Sequence, residues 1–347
     1  MPKTSTPKTK SAAAHDHSHH DHDHNHDHDH SHAPAASQNT AIGPNTVIKL
    51  TLAWKTVEPV YTKIRQRLAQ RVKLPGFRAG KAPTALAEGA VGQEKILDAV
   101  LEQLLPAVYT EAVTKAKKVP LTNPDIKPIS LHIGQDWELE AQIAEAPEVK
   151  LGDYKKIVTE AKKEAAKQVA EIEKKQAEES KKTTSKDKKG SADTQTPPAP
   201  TTRPLTDDDK KELNLRAIFA HLIRTINPTV PELLVREETR HDLHHLVEKL
   251  EQLKLSLDEY LTRRGMTFEQ LSGELAATAL ARIQLDFILS TISNTEKIVP
   301  TDADVEAQIQ KIQDEKLRAE QAQNDEYRRY VKGVLTRQHT VDFLAQL

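Results

Sequence analysis

From Lys155 to Arg216 the chain carries no phenylalanine, tryptophan or tyrosine, and Gly190 is the sole glycine. A compact sheet domain with a walled pocket cannot be built from such a stretch, because it lacks both large rings for the wall and glycines for the tight turns. The first part, KKIVTEAKKEAAKQVAEIEKKQAEESKK, combines strong helix formers with many opposite charges at i,i+4. Its apolar stripe is thin, so the expectation is a solvated helix that buries little. The second part, KTTSKDKKGSADTQTPPAPTTRP, has the composition of a flexible linker. Residues 153–212 therefore read as a spacer between two folded parts.

A chain of 347 residues is long enough for two or three domains. The net charge is −1, which gives no global basic field, so any nucleic-acid contact must come from a local patch. There is no cysteine. That excludes disulfides, thiolate metal sites and cysteine nucleophiles, and it fits a reducing compartment. The N-terminus lacks the apolar core of a secretory signal, and no uninterrupted apolar run approaches membrane length. The expectation is a soluble cytoplasmic protein with no membrane partner. With 4% aromatic and 29% charged residues, its core should be a thin Leu/Ile/Val/Ala one around long helices.

Residues 1–44 read as a disordered tail, with almost nothing apolar to bury. Ten histidines, His15, His17, His19, His20, His22, His24, His26, His28, His30 and His32, alternate with aspartates. Imidazole suits zinc or nickel and carboxylate can complete a shell, so this segment is the candidate metal binder. The alternative is a plain solvated low-complexity tail or a purification-style extension. No cofactor is required elsewhere.

Residues 45–152 read as one α+β unit. NTVIKLTLAW alternates as a half-buried strand, and VEPVYTKIRQRLAQRVK has helical spacing at Val60, Ile64, Leu68 and Val72. PTALAEGAVG is a short helix. The next helix carries Ile96, Leu97, Val100, Leu104, Val108 and Ala112 on one stripe, and Pro106 is placed to kink it. LTNPDIKP reads as a turn-rich connection, and ISLHIG with DWELEAQIAEAP reads as a hairpin. His132, alone in a predicted strand, is assigned a structural role.

Residues 213–347 read as helical throughout. Ser256 with Glu259 and Thr267 with Gln270 have the spacing of capping boxes that open two helices. His241 and His245 stand at i,i+4, a spacing that can chelate zinc, but no Glu follows the first as in H-E-x-x-H. A solvated helix face is the preferred reading of His241, His244 and His245.

One stretch is unlike the rest: LPGFRAGKAP, residues 74–83. It is not a nucleotide loop. Gly76 and Gly80 enclose only three residues, and Lys81 precedes Ala82, which has no hydroxyl for a metal. Pro75 and Gly76 end one helix and Pro83 starts the next. A helix-ending turn accounts for those residues, but not for Phe77 beside Arg78 at the tip.

PGFRAGKAP, following a strand and an amphipathic helix, resembles the ribosome-docking signature G-F-R-x-G-x-x-P of bacterial trigger factor. LTNPDI, IGQDWELEAQIAEAPEVKLGDY, VPELLV, SLDEYLTRRGMTFEQL and the helix ending LSTISNTEKIVPTDADVEAQI stand in the order of that family. The resemblance implies an α+β N-terminal ribosome-binding domain followed by a mostly α-helical C-terminal cradle domain, in an elongated multi-domain chain. It implies that Gly76, Phe77, Arg78, Gly80 and Lys81 dock at the protein and RNA of the ribosomal exit. Ala79 stands where the family often places another base. The implied function is an ATP-independent chaperone of nascent or unfolded polypeptides, with no catalytic residue. The family's prolyl isomerase domain has no counterpart in 153–212. An isomerase and a metal-storage protein are the alternatives, and a weak homodimer is an alternative use of the C-terminal helices.

Overall fold

The structure is a computed structural model that describes residues 41–72, 75, 77, 84–183 and 205–347. Strand β1 (Ile42–Gly43) is followed by β2 (Thr46–Leu52), in which Ile48, Leu50 and Leu52 are buried while Lys49 and Thr51 are exposed. This is the period of two that the sequence shows. β3 (Asp125–Ser130) and β4 (Trp137–Ile143) complete a three-stranded antiparallel sheet in the order β2-β4-β3. In the register Ile48 faces Ala141, Leu50 faces Leu139 and Leu52 faces Trp137, so both apolar sets fall on one side. Helices α1 (Trp54–Arg71) and α3 (Gln93–Ala116) cover that side with Val57, Tyr61, Ile64, Ile96 and Val100. Short helix α2 (Thr84–Val91) is joined to α3 through Gly92, whose φ of 83° is open to glycine and strained for other residues. α3 continues through Pro106 as one helical element.

The hairpin is shifted from its expected place. β3 begins inside the stretch read as a turn, and it ends at Ser130, two residues into the stretch read as a strand. Pro128, opposite Leu139, is tolerated because β3 is an edge strand, and the register slips between Pro128 and Ser130. His132 accordingly lies in the connection rather than in a strand. Its backbone carbonyl accepts the Trp137 indole N–H at 3.1 Å.

The remaining elements are α4 (Tyr154–Thr183), α5 (Asp207–Ile226), the two-residue strand β5 (Val230–Pro231), α6 (Glu232–Gln252), α7 (Leu257–Arg264), α8 (Phe268–Glu296), α9 (Asp302–Ile309), α10 (Glu315–Gln323) and α11 (Asp325–Gln346). Capping boxes open α7 at Ser256 and α8 at Thr267, as the spacing predicts. Two more, at Thr206 and Thr301, use aspartate at the third helical position.

The expectation for α4 fails in an informative way. Its first half is a core helix: Tyr154, Val158 and Ala161 are buried with Ile218 and Leu222 of α5, Ile288, Leu289 and Ile292 of α8, and Leu344 of α11. A stripe of small side chains looks weak in the sequence, but it lets a neighbouring helix approach closely. Beyond Glu171 the exposed face carries the predicted charge pairs, such as Lys175 with Glu171 at 3.0 Å. Residues 184–204, read as a linker, lie outside the described residues.

α8 is by length and composition apolar enough to cross a membrane. Here its apolar residues serve two packing clusters. Ile288, Leu289 and Ile292 join the cluster with α4 and α5, while Leu280 and Ile283 join Val230, Leu233, Leu234 and Val235. The second cluster also takes in Ala41 and Ala144 from the N-terminal part. β1 and β5 pair in parallel there, Ile42 opposite Val230. Gly43 permits this approach, since a Cβ would stand 2.6 Å from the Thr229 methyl.

Candidate functional site

The sequence places its candidate site at the connection between α1 and α2. α1 is fixed at both ends. The Trp54 backbone N–H donates to Asp136 Oδ1 at 2.7 Å, which ties the helix start to the β3–β4 connection. Trp54 also stacks near Tyr61 and Trp137, with ring centroids 5.9 and 6.3 Å apart. At the other end Val72 turns to extended backbone while its N–H still donates to Leu68 O. The connection thus leaves the sheet layer from a rigid strut.

Of the five residues singled out there, Phe77 is described, and its side chain is 44% exposed. Gly76, Arg78, Gly80 and Lys81 lie outside the described residues, as do all ten histidines between His15 and His32. Leu86, on α2 just past the loop, is also exposed, while Ala87 and Val91 of the same helix face inward. Two apolar side chains therefore meet solvent, one in the connection and one in the helix that follows it. Water exposure of such groups is unfavourable, by roughly 25 cal/mol per Å², and it is relieved when a partner covers them.

A second feature was legible in the residues yet not singled out. Lys63, Arg67 and Arg71 stand at i, i+4 and i+8 on α1, and all three are exposed. Among the described residues none of them has an ion-pair or hydrogen-bond partner. They form a row of cations leading to the loop, and Arg71 in the last turn also suits the negative end of the helix dipole. The neighbouring Arg65 is used differently, with its guanidinium 5.9 Å from the Tyr61 ring centre. The signal for the row is the four-residue spacing in KIRQRLAQR.

On the C-terminal helices, Ile312, Tyr327, Tyr330, Val331 and Val334 line an open groove of about 310 Å³ beside α11. Tyr330 and Val334 face solvent, whereas Val331 joins Val305, Ile309 and Leu335 in a small core. A groove between α8 and α11 is more polar, with Asp286, Ser290, Asn294, Thr336 and Arg337 on its walls. Among the described residues no three or more His, Asp or Glu side chains converge on a point where a metal ion could sit. His241, His244 and His245 lie on the exposed face of α6, as expected. His244 and His245 share Glu248, at 3.2 and 3.0 Å.

The sequence description "Bacterial trigger factor protein (TF)" matches residues 36–181, and the C-terminal part of the same family matches residues 206–346. Residues 182–205 fall between the two matches, well short of the ~50 residues of the smallest ordinary domains. The trigger factor of Streptococcus suis strain 05ZYH33 is 35% identical over 127 residues, 37% of this chain and 29% of that protein. That of Mycobacteroides abscessus is 37% identical over 115 residues, 33% of this chain and 24% of that protein. The chain thus aligns with under a third of the length of these two relatives. The trigger factor of Carboxydothermus hydrogenoformans is 24% identical over a longer alignment, covering 74% of this chain and 85% of that protein. A solved structure of the trigger factor chaperone, described for promiscuous substrate recognition in folding and assembly, aligns at a TM-score of 0.49 and 12% identity, over 86% of this chain and 96% of that one. With both parts of one family's architecture matched in order, from residue 36 to 181 and from 206 to 346, the chain belongs to the bacterial trigger factor family.

Proposed function

We propose that the protein is an ATP-independent chaperone that docks on the ribosome through residues 74–83 and shields nascent chains, without acting as a prolyl isomerase. The observation that carries the docking half is the exposed Phe77 at the end of a strut that bears Lys63, Arg67 and Arg71. An apolar anchor with a row of exposed cations suits a surface of protein and structured RNA. The ring is covered on docking, while the cations approach phosphate and release counterions. Arg78 adds a planar donor that can grip phosphate or carboxylate with two hydrogen bonds. Pro75 and Pro83 stiffen the loop and reduce the entropy lost on binding.

The chaperone half needs no reacting group. Exposed Tyr330, Val334 and Leu317 give the C-terminal helices shallow apolar surface, which can hold an unfolded segment weakly and let it go. Release is then set by the client's own folding, because burying its apolar residues internally removes what the groove binds. A place in the cytoplasm belongs to the same proposal. Zinc or nickel on the histidines between His15 and His32 is a separate proposal, and chaperoning does not depend on it.

The test is co-sedimentation of the purified protein with bacterial ribosomes. Phe77→Ala combined with Arg78→Ala should abolish association and leave the helical circular dichroism unchanged. A double variant that sediments like the parent protein would remove the loop from the interface.

A further inference from the structure

We propose that His241 and His245 form a two-histidine surface site for a divalent transition-metal ion with right-angled ligand positions, copper(II) or nickel(II). The two residues are one turn apart on α6, and their Nε2 atoms stand 2.9 Å from each other. The rings meet edge to face, with centroids 4.2 Å apart and planes at 81°. Metal–imidazole bonds are about 2.0–2.1 Å long. Two nitrogens on adjacent corners of a square or octahedron are then about 2.9 Å apart, and two on a tetrahedron about 3.4 Å apart. The observed spacing is that of a hydrogen bond between the rings, and it coincides with the right-angled one, so copper(II) or nickel(II) can replace the shared proton with less movement of the rings than tetrahedral zinc.

The surroundings complete the argument. Glu248 Oε2 lies 3.0 Å from Nδ1 of His245. That contact holds the ring proton on Nδ1 and leaves the Nε2 lone pair for the metal, and a carboxylate behind an imidazole also makes it a stronger ligand. His244 is turned away: its Nε2 lies 3.2 Å from the other oxygen of Glu248. Both His241 and His245 are exposed, so water can fill the remaining coordination positions. When the metal enters, His241 exchanges its Nε2 proton for one on Nδ1 through solvent, so that both rings bind as neutral imidazoles.

The site requires α6 to be folded, so metal bound there raises the melting temperature of the full-length protein. The experiment compares thermal melts with and without saturating Ni²⁺ for the parent chain, His241→Ala, His245→Ala and His244→Ala. Every variant keeps the histidines between His15 and His32, so metal held by those is common to all four. The expected result is a rise of roughly 2 °C in the parent and in His244→Ala, and none in His241→Ala or His245→Ala. The metal-free melts report whether each variant folds. Paramagnetic broadening by Cu²⁺ of the His241 and His245 imidazole signals, before those of His244, is the second expected result. An equal Ni²⁺ response in all four proteins, no response in the parent, or broadening of His244 first would overturn the proposal.

Discussion

The side-chain oxygen of Asn45 accepts a hydrogen bond from the backbone N–H of Leu233 at 2.7 Å, across 188 residues of chain. Leu233 is the second residue of α6, and Pro231, at the start of that helix, has no side-chain acceptor to offer. Asn45 therefore caps a helix of the C-terminal part from the N-terminal part. Its amide donates to Gln142 Oε1 at 3.1 Å and to Glu232 Oε2 at 3.0 Å, which fixes its orientation. Replacing Asn45 by Ala should destabilise the protein by about 1–2 kcal/mol, the usual cost of a lost cap. Asn45→Asp keeps the acceptor but loses both donors beside Glu232, so it should fall between the two. Urea unfolding measures the stability, and amide exchange at Leu233 reports the cap. Unchanged exchange in Asn45→Ala would refute the capping role.

The cation row gives a salt-dependence test. If Arg67 and Arg71 approach ribosomal RNA, replacing either by Ala should weaken association. The slope of log affinity against log salt should also fall by roughly one per cation removed. A weaker association with an unchanged slope would mean that these residues act on the fold or on a protein contact instead.

The core role of α4 can be separated from its helix propensity. Ala161 is fully buried and Ala166, less than two turns away, is exposed. Leucine and alanine are both good helix formers. Ala161→Leu should therefore cost about 1–3 kcal/mol through overpacking, and Ala166→Leu should be nearly neutral. Equal melting temperatures for the two variants would return α4 to the role of a solvated spacer.

One cluster should contribute to the response of stability at both ends of the pH range. The Tyr154 hydroxyl donates to Glu296, whose carboxylate also pairs with Lys155 at 2.8 Å. Lys155, and then Tyr154, hold the Glu296 carboxyl below its ordinary range. A depressed acid contributes stability that is present above its unfolded pKa of about 4.3 and is lost as pH falls through the lower folded value. Burial, and then the bond and charge of Glu296, push the Tyr154 phenol above its ordinary value. That contribution is present below about pH 10 and is lost as pH rises through the folded value. Glu296→Gln should flatten the acid limb of the urea midpoint against pH, and Tyr154→Phe the alkaline limb. Limbs identical to those of the parent protein would place the pH response elsewhere.

The proposed loss of isomerase activity predicts a split between two assays. The protein should suppress aggregation of a denatured client, yet leave unchanged the cis–trans relaxation of a proline peptide. The uncatalysed step takes tens of seconds or more, so even weak catalysis would be seen. Acceleration by the full chain, lost when residues 184–204 are deleted, would show that this stretch carries a prolyl site.

What the sequence determined was everything that rests on neighbours in the chain. The alternation of Ile48, Leu50 and Leu52, the stripe from Ile96 to Ala112, and the boxes at Ser256 and Thr267 were legible because each depends on a period of two or 3.6, or on a bond three residues long. The exposed Phe77 was legible because a turn has no use for a ring. Tertiary structure alone decided three other matters. It made β3 an edge strand, where Pro128 needs no partner on its missing N–H. It made Val158 and Ala161 core residues, since small side chains gain burial only when another helix comes close enough to cover them. It gave Asn45 a helix to cap, because the orphan N–H of Leu233 is brought within 2.7 Å only after the two parts of the chain have packed together.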